Sequence, residues 1–435
     1  MQNKNIFYII IANVLWSLIP VLVIGLFNEF SILTIIFLRF FISGICLLTV
    51  AIVIILVNNR NTSNEYISLK SLFKFTFSKN ESFFKMRYIF YFAIMGFFGI
   101  ILQIIFFFLA LKFTTISLTM IGFQLAIIFI AIYEHGTQSE RLDFFKILYI
   151  IILIFAIGII ISVSIQGAPN KISQTGILYI ILFTLAMIFF QITIDRDTYS
   201  KDEIKIMNKN ENYKIPRLLI KISLTFLTGV ALMFPFIIIL NTIPIKTDLT
   251  PEIGKFFDDL FRFDIIFRWE IAFLILGATI APFVLIYIAN AKWSPFNLTY
   301  RQWNSILNII EPIGGIFFGV LFGFDSFPVI LLSAVLFLLI ISILLRYIHE
   351  STNKVIAYLL ISKEKGFLKG LSLKLLKFNG IYSVHSLIGT YDIIAYVRTN
   401  SFREFSCLVN EKIRNLEEIK NIKILFINKI NKITI

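Results

Sequence analysis

The chain has 435 residues, of which 58% are hydrophobic and 15% charged, with a formal net charge of +14. A soluble domain is about half apolar and a quarter charged, so this composition excludes an ordinary soluble globule and reads as a membrane protein. The positive excess belongs with cytoplasmic loops that face anionic lipid, not with nucleic acid.

A spanning helix needs roughly 20 mostly apolar residues. Ten segments qualify: 6–27, 31–57, 88–111, 114–133, 146–165, 176–194, 219–240, 270–291, 298–322 and 327–347. The first is too long for a signal-peptide core and lacks a small-residue cleavage site, so it is expected to be retained. With the N-terminus inside, the inner segments before residue 346 carry 18 Lys and Arg and the outer ones 6. That bias puts both termini in the cytoplasm of a multi-pass protein of the cell membrane.

Two loops carry signals of their own. Ser68–Lys79 (SLKSLFKFTFSK) is basic and aromatic, which suits contact with the inner leaflet. In Thr250–Trp269 a Thr-Pro-Glu start is followed by Ile253, Phe256, Phe257, Leu260 and Phe261 at helical spacing, an amphipathic helix on the outer face. It reads as an interfacial anchor, with a gate or lid as the other reading.

Polar groups inside the membrane line a cavity or pair with one another. Helix nine is the richest: Arg301, Asn304, Asn308 and Glu311 recur at spacings of three and four along one helical stripe. A cation, two amides and a carboxylate suit a zwitterion such as an amino acid, and Glu311 suits a coupling proton. Pro312 frees a carbonyl one turn earlier. Against this stands a structural role for Arg301 and Glu311. Arg39 lies in the middle of helix two. Asn13, Gln103 and Gln124 are further candidate liners or interhelical hydrogen bonders, and Trp16 either stacks on cargo or packs between helices.

After Tyr347 the charge density rises. Val355–Ile361 reads as a strand, Gly366–Phe378 as a helix, Ile381–Ile388 and Asp392–Arg398 as strands about a Gly-containing turn, Ser401–Arg414 as a helix with a Ser401/Glu404 capping box, and Asn421–Ile430 as the last strand. The order βαββαβ is a ferredoxin-like plan with one sheet face open, which favours pairing with a second copy.

The chain shows no GxxxxGK[ST], HExxH or GxSxG, so no enzyme, cofactor or ATP-driven step is expected. Cys46 and Cys407 form no disulfide or zinc spacing, and His135, His349 and His385 have no ligand-like neighbours; no metal is expected.

A weak repeat runs through the spans. Phe106–Phe113 (FFFLALKF) echoes Leu285–Trp293 (LIYIANAKW), with Lys112 outside and Lys292 inside. Two inverted five-helix halves follow, a plan that suits alternating access. With Ala12–Pro20 (ANVLWSLIP), Phe37–Phe41 (FLRFF), Ala110–Phe113 (ALKF), Ser139–Ile147 (SERLDFFKI), Asn308–Gly319 (NIIEPIGGIFFG) and Asp325, residues 5–348 resemble the drug/metabolite transporter superfamily, EamA type. Ser17 and Ile127 depart from its usual Gly and Pro. The tail, with LIGTYDIIAYV at Leu387–Val397, resembles the effector-binding (RAM) domain of Lrp/AsnC regulators. That resemblance implies dimerisation through the sheet and amino-acid binding near the turn at Gly389, Tyr391 and Asp392.

The expected architecture is therefore an all-α polytopic membrane protein with a C-terminal α+β domain: repeats at 1–170 and 171–348, and a ligand-binding domain at 354–432. The expected function is secondary transport of amino acids or related small metabolites, regulated or dimerised by the tail. The alternative is a membrane-bound metabolite sensor that moves no cargo.

Overall fold

The computed structural model describes residues 2–60, 76, 87–138, 144–167, 172–194, 213–242, 248–260, 262–291, 298, 300–352, 355–364, 367–378, 380–399 and 402–426. The basic segment Ser68–Lys79 lies outside them except for Thr76, as do Lys292, Ser401 with its capping box, and the expected end of the last strand beyond Phe426.

Among the described residues ten helices are long and apolar enough to cross a membrane: Lys4–Leu26, Ile32–Arg60, Tyr88–Phe113, Ile116–Tyr133, Phe144–Gly167, Gln174–Thr193, Lys214–Thr242, Trp269–Asn290, Gln302–Leu321 and Val329–Ser351. They are called helices one to ten. Each expected span has its counterpart, because a run of about 20 apolar residues is a local property of the chain.

The chain divides into two units, the first made of Met1–Phe129 and Ile151–Ile343, the second of Ile130–Ile150 and Leu344–Ile435.

In the first unit small residues set the helix contacts. Gly96 of helix three and Gly229 of helix seven meet backbone to backbone, and a Cβ on Gly96 would collide with the Thr225 carbonyl. In lipid, where apolar burial drives little association, such close approaches are what bind helices together. Gly44 of helix two faces Leu227 of helix seven, and its carbonyl accepts from Ser223 Oγ at 2.6 Å. Gly315 and Gly319 of helix nine face Met120 and Ile116 of helix four, while Gly314 faces Ser17 of helix one.

Four of these helices are irregular. Helix one divides into Gln2–Ser17 and Ile19–Leu26, just before Pro20. Helix nine divides into Tyr300–Leu307 and Ile310–Leu321, just before Pro312. A proline cannot donate to the carbonyl four residues earlier, which leaves Trp16 and Asn308 without that bond. The break near Pro312 falls within the polar stripe of helix nine, between Asn304 and Glu311. Helices three and eight instead hold π segments, Met95–Ile101 and Leu276–Ile280. Each begins seven residues into its helix, after Tyr88–Ile94 and Trp269–Ile275.

The second unit holds a four-stranded antiparallel sheet of order β2-β3-β1-β4, with β1 Val355–Lys363, β2 Ile381–Ser386, β3 Ile393–Thr399 and β4 Ile419–Phe426. Period-two alternation turns Ala357, Leu359 and Ile361 of β1 and Ile393, Ala395 and Val397 of β3 to one face. There they pack on Leu371 and Leu375 of the Leu368–Leu376 helix and on Phe405, Leu408, Val409 and Ile413. The helix carrying the latter four is α-helical over Phe402–Ser406 and π-helical over Cys407–Ile413. On the opposite face the Tyr358 and Tyr396 rings lie 5.4 Å apart, and Tyr382 and Tyr396 6.3 Å apart. The last strand starts two residues earlier than expected.

Candidate functional site

The register of three helices brings polar residues to one level of the first unit. Helix four runs antiparallel to helix nine, with Ile116 against Gly319 and Met120 against Gly315; one turn further on, Gln124 stands level with Glu311. Helix one runs parallel to helix nine, with Ile9 clustered beside Leu307 and Ser17 against Gly314; Asn13, midway, stands at the same level. Arg39 of helix two joins them through the Leu276–Ile280 segment of helix eight, which accepts its hydrogen bonds and packs against the Gln2–Ser17 part of helix one.

Arg39 is 2% exposed. Its Nε donates to Thr279 Oγ1 at 2.5 Å and its Nη2 to the Ala278 carbonyl at 2.9 Å. Both acceptors lie in the π segment of helix eight. A π turn shifts the backbone hydrogen bonds by one residue, and Thr279 Oγ1 in turn donates to the Leu274 carbonyl five residues back. The irregular turn is thus what offers a buried guanidinium its acceptors. Thr279 carries no motif in the sequence, and its role depends on a partner 240 residues away.

Among the described residues several polar atoms here have no hydrogen-bond partner: Asn13 Oδ1, Arg39 Nη1, both Nε2 and Oε1 of the fully buried Gln124, and, seven residues before Glu311 across the helix-nine break, Asn304 Oδ1. Asn13 Nδ2 does donate, to the Ile9 carbonyl at 2.8 Å. An unpaired buried polar group costs about 1–3 kcal/mol. A donor on Arg39, a donor and an acceptor on Gln124, acceptors on both asparagines and the Glu311 carboxylate together present both signs of hydrogen-bonding group.

Trp16 is half-buried with its ring 5.5 Å from Phe283, edge to face. Phe283 continues to Phe226 and Phe226 to Phe40, whose ring lies 5.1 Å from the Arg39 guanidinium. Trp16 thus has an aromatic ring of helix eight against it. Asn308 lies in the break of helix nine and is half-buried. The Arg301 side chain lies outside the described residues. Gln103 is half-buried on helix three, and among the described residues no hydrogen bond joins it to the layer. Lys221 is buried in helix seven with its ammonium 5.7 Å from the Tyr287 ring centre.

One end of this unit departs from expectation. Thr250–Asp259 is helical, as the pattern requires, but the helix stops there and a 3-10 turn follows at Phe263–Phe267. Its buried face carries Glu252 and Asp259 beside Ile253 and Phe256, so it is not a simple apolar stripe laid on lipid. Among the described residues the exposed large apolar side chains of this segment are Phe257, Ile266, Phe267 and Trp269.

In the second unit Gly389 takes φ +154° in open space, a backbone need that glycine meets without strain. Asp392 closes the turn: its Oδ2 accepts from Lys363 N–H at 2.7 Å, its N–H donates to the Ile361 carbonyl at 3.0 Å, and its carbonyl accepts from Leu387 N–H at 2.8 Å. Tyr391 beside it is half-buried.

Residues 3–162 match the model of the EamA-like transporter family, which supports the drug/metabolite transporter superfamily and a membrane transporter of small metabolites. Comparison with curated proteins gives no match. A solved chain described as "Crystal structure of protein" aligns over 80% of this chain and 98% of its own, at 12% identity and a TM-score of 0.46.

Proposed function

We propose that the chain is a secondary transporter of amino acids or related small metabolites, and that cargo binds at the polar layer of Asn13, Arg39, Gln124, Asn304 and Glu311. The observation that carries this reading is the buried Gln124 amide, unpartnered among the described residues, on the helix that packs against the broken helix nine. A carboxylate ligand would meet Arg39 Nη1 and Gln124 Nε2, and an ammonium would meet Glu311 and the asparagine oxygens. The family match and the paired π segments of helices three and eight support two inverted halves, 1–170 and 171–348. In this reading Trp16, Asn308 and Arg301 flank the path and Gln103 lies along it. The same unpartnered groups weigh against a sensor that moves no cargo, because such a bundle gains by pairing or losing them.

The tail, 354–432, is in this proposal a cytoplasmic ferredoxin-like module of the Lrp/AsnC effector-binding kind. Its strand order and its Gly389–Asp392 turn support that. An amino-acid effector would bind near Gly389, Tyr391 and Asp392, and a second copy would pair on the tyrosine-bearing sheet face.

Counterflow of labelled amino acids in proteoliposomes tests the transport reading: transient accumulation of at least one amino acid is expected, and none above empty liposomes for any of the twenty refutes it. For the tail, Asp392→Ala is expected to abolish any amino-acid effect on counterflow while basal counterflow persists. An unchanged response removes the effector role of this turn.

A further inference from the structure

We infer that the Thr250–Asp259 helix is a strap whose Glu252 clasps helix two to helix three and that this clasp opens as a gate. The strap is seated on helices two and seven. Ser31 N–H donates to Asp259 Oδ2 at 2.7 Å, Thr34 Oγ1 to the same oxygen at 3.3 Å, and Ser31 Oγ to the Glu252 carbonyl at 2.7 Å. Phe256 is wedged between Phe37 of helix two and Phe234 of helix seven, each ring 6.1 Å away. Helices two and seven are themselves tightly packed through Gly44 and Ser223.

The tie to helix three is of another kind. Glu252 Oε2 accepts from Ile32 N–H at 2.7 Å, at the start of helix two, while Oε1 takes Lys112 Nζ at 2.6 Å, at the end of helix three. One carboxylate thus bridges a helix N-terminus and a cation at a helix C-terminus, each charge placed where the backbone dipole favours it. The carboxylate is buried, but the Lys112 side chain is 33% exposed, so water and salt reach that arm of the bridge. Helix three also holds its π segment, Met95–Ile101, before the stretch Leu102–Phe113 whose last turn carries Lys112, and π turns are places where a helix adapts. The clasp therefore has a firm side, made of hydrogen bonds and rings, and a weak side, made of one partly solvated ion pair to a helix with an irregular turn.

The test reads opening directly and needs no cargo. Ile253, 1% exposed on the underside of the strap, is changed to cysteine in a Cys46→Ser, Cys407→Ser chain and labelled in proteoliposomes with an impermeant maleimide. Lys112→Met is expected to raise the labelling rate about two- to five-fold, the population change that a partly exposed ion pair can hold. Glu252→Gln keeps an acceptor for Ile32 N–H and is expected to match it. High salt should speed the parent and leave Lys112→Met unchanged. Asp264→Asn, which breaks the exposed Arg262–Asp264 pair within the same segment, is expected to do nothing. Equal labelling of the parent, Lys112→Met and Glu252→Gln at low salt overturns the clasp. A strap that stays shut leaves the carrier reading untouched, and absent counterflow leaves this result standing.

Discussion

Two residues of the site and one ion pair of the tail obey different physical constraints, and each gives a separable outcome. Gln124 is fully buried, with both amide atoms unpartnered among the described residues. Gln124→Leu removes that burden, so the protein should unfold at an equal or higher temperature in detergent, with a gain of up to about 1–3 kcal/mol. Thr279 is the opposite case. Thr279→Val keeps the shape and strips Arg39 Nε of its acceptor, so a loss of about 1–3 kcal/mol is expected in the same assay. In the tail, Lys374 beside Glu418 holds that exposed carboxyl below its usual range. A depressed acid stabilises the fold above its unfolded-state pKa and loses that contribution as pH falls through the folded value. The pair is exposed and contributes little, so Lys374→Met should leave neutral-pH stability nearly unchanged and only flatten the acid limb of an unfolding profile.

At the scale of elements, what was legible in the sequence is what is local. Ten spans and the β1, β2 and β3 strands follow from hydropathy and from period-two alternation at Val355–Lys363 and Ile393–Thr399. The helix-nine break follows from Pro312. The π segments have no sequence signal of their own. The carboxylates of Glu252 and Asp259 read as the polar side of a surface helix, yet they turn inward to cap helix two, 220 and 228 residues away. Long-range caps of this kind are invisible to any window. Packing sharpens the same point: a Cβ at Gly96 meets backbone, whereas one at Gly25 meets nothing within 4 Å. Gly96→Ala should cost about 1–3 kcal/mol by overpacking, and Gly25→Ala should stabilise by up to about 1 kcal/mol through helix propensity, both read as thermal unfolding in detergent. Pro312→Ala should restore the missing helical bond, raise the unfolding temperature and slow counterflow; an unchanged counterflow rate would mean that the break is not part of the path.

At the scale of the whole molecule, one chain carries a multi-pass bundle with a polar layer and a small antiparallel α+β tail. The bundle was legible as membrane and as carrier-like from its order of motifs. The convergence of Asn13, Gln124, Arg39 and Glu311 was not, because it depends on three helix registers set by glycines at 314, 315 and 319. If the layer is the cargo site, the tail is dispensable for basal movement, and a chain ending after Ser351 should still exchange cargo. The most direct measurement is counterflow of labelled amino acids in proteoliposomes holding equal amounts of folded parent and Gln124→Leu. The account predicts transient accumulation in the parent and a fall of roughly 5- to 150-fold in initial rate at sub-saturating cargo for Gln124→Leu, the equivalent of about 1–3 kcal/mol of lost hydrogen bonding, in a protein that unfolds no earlier. Parent-like counterflow in Gln124→Leu would contradict it.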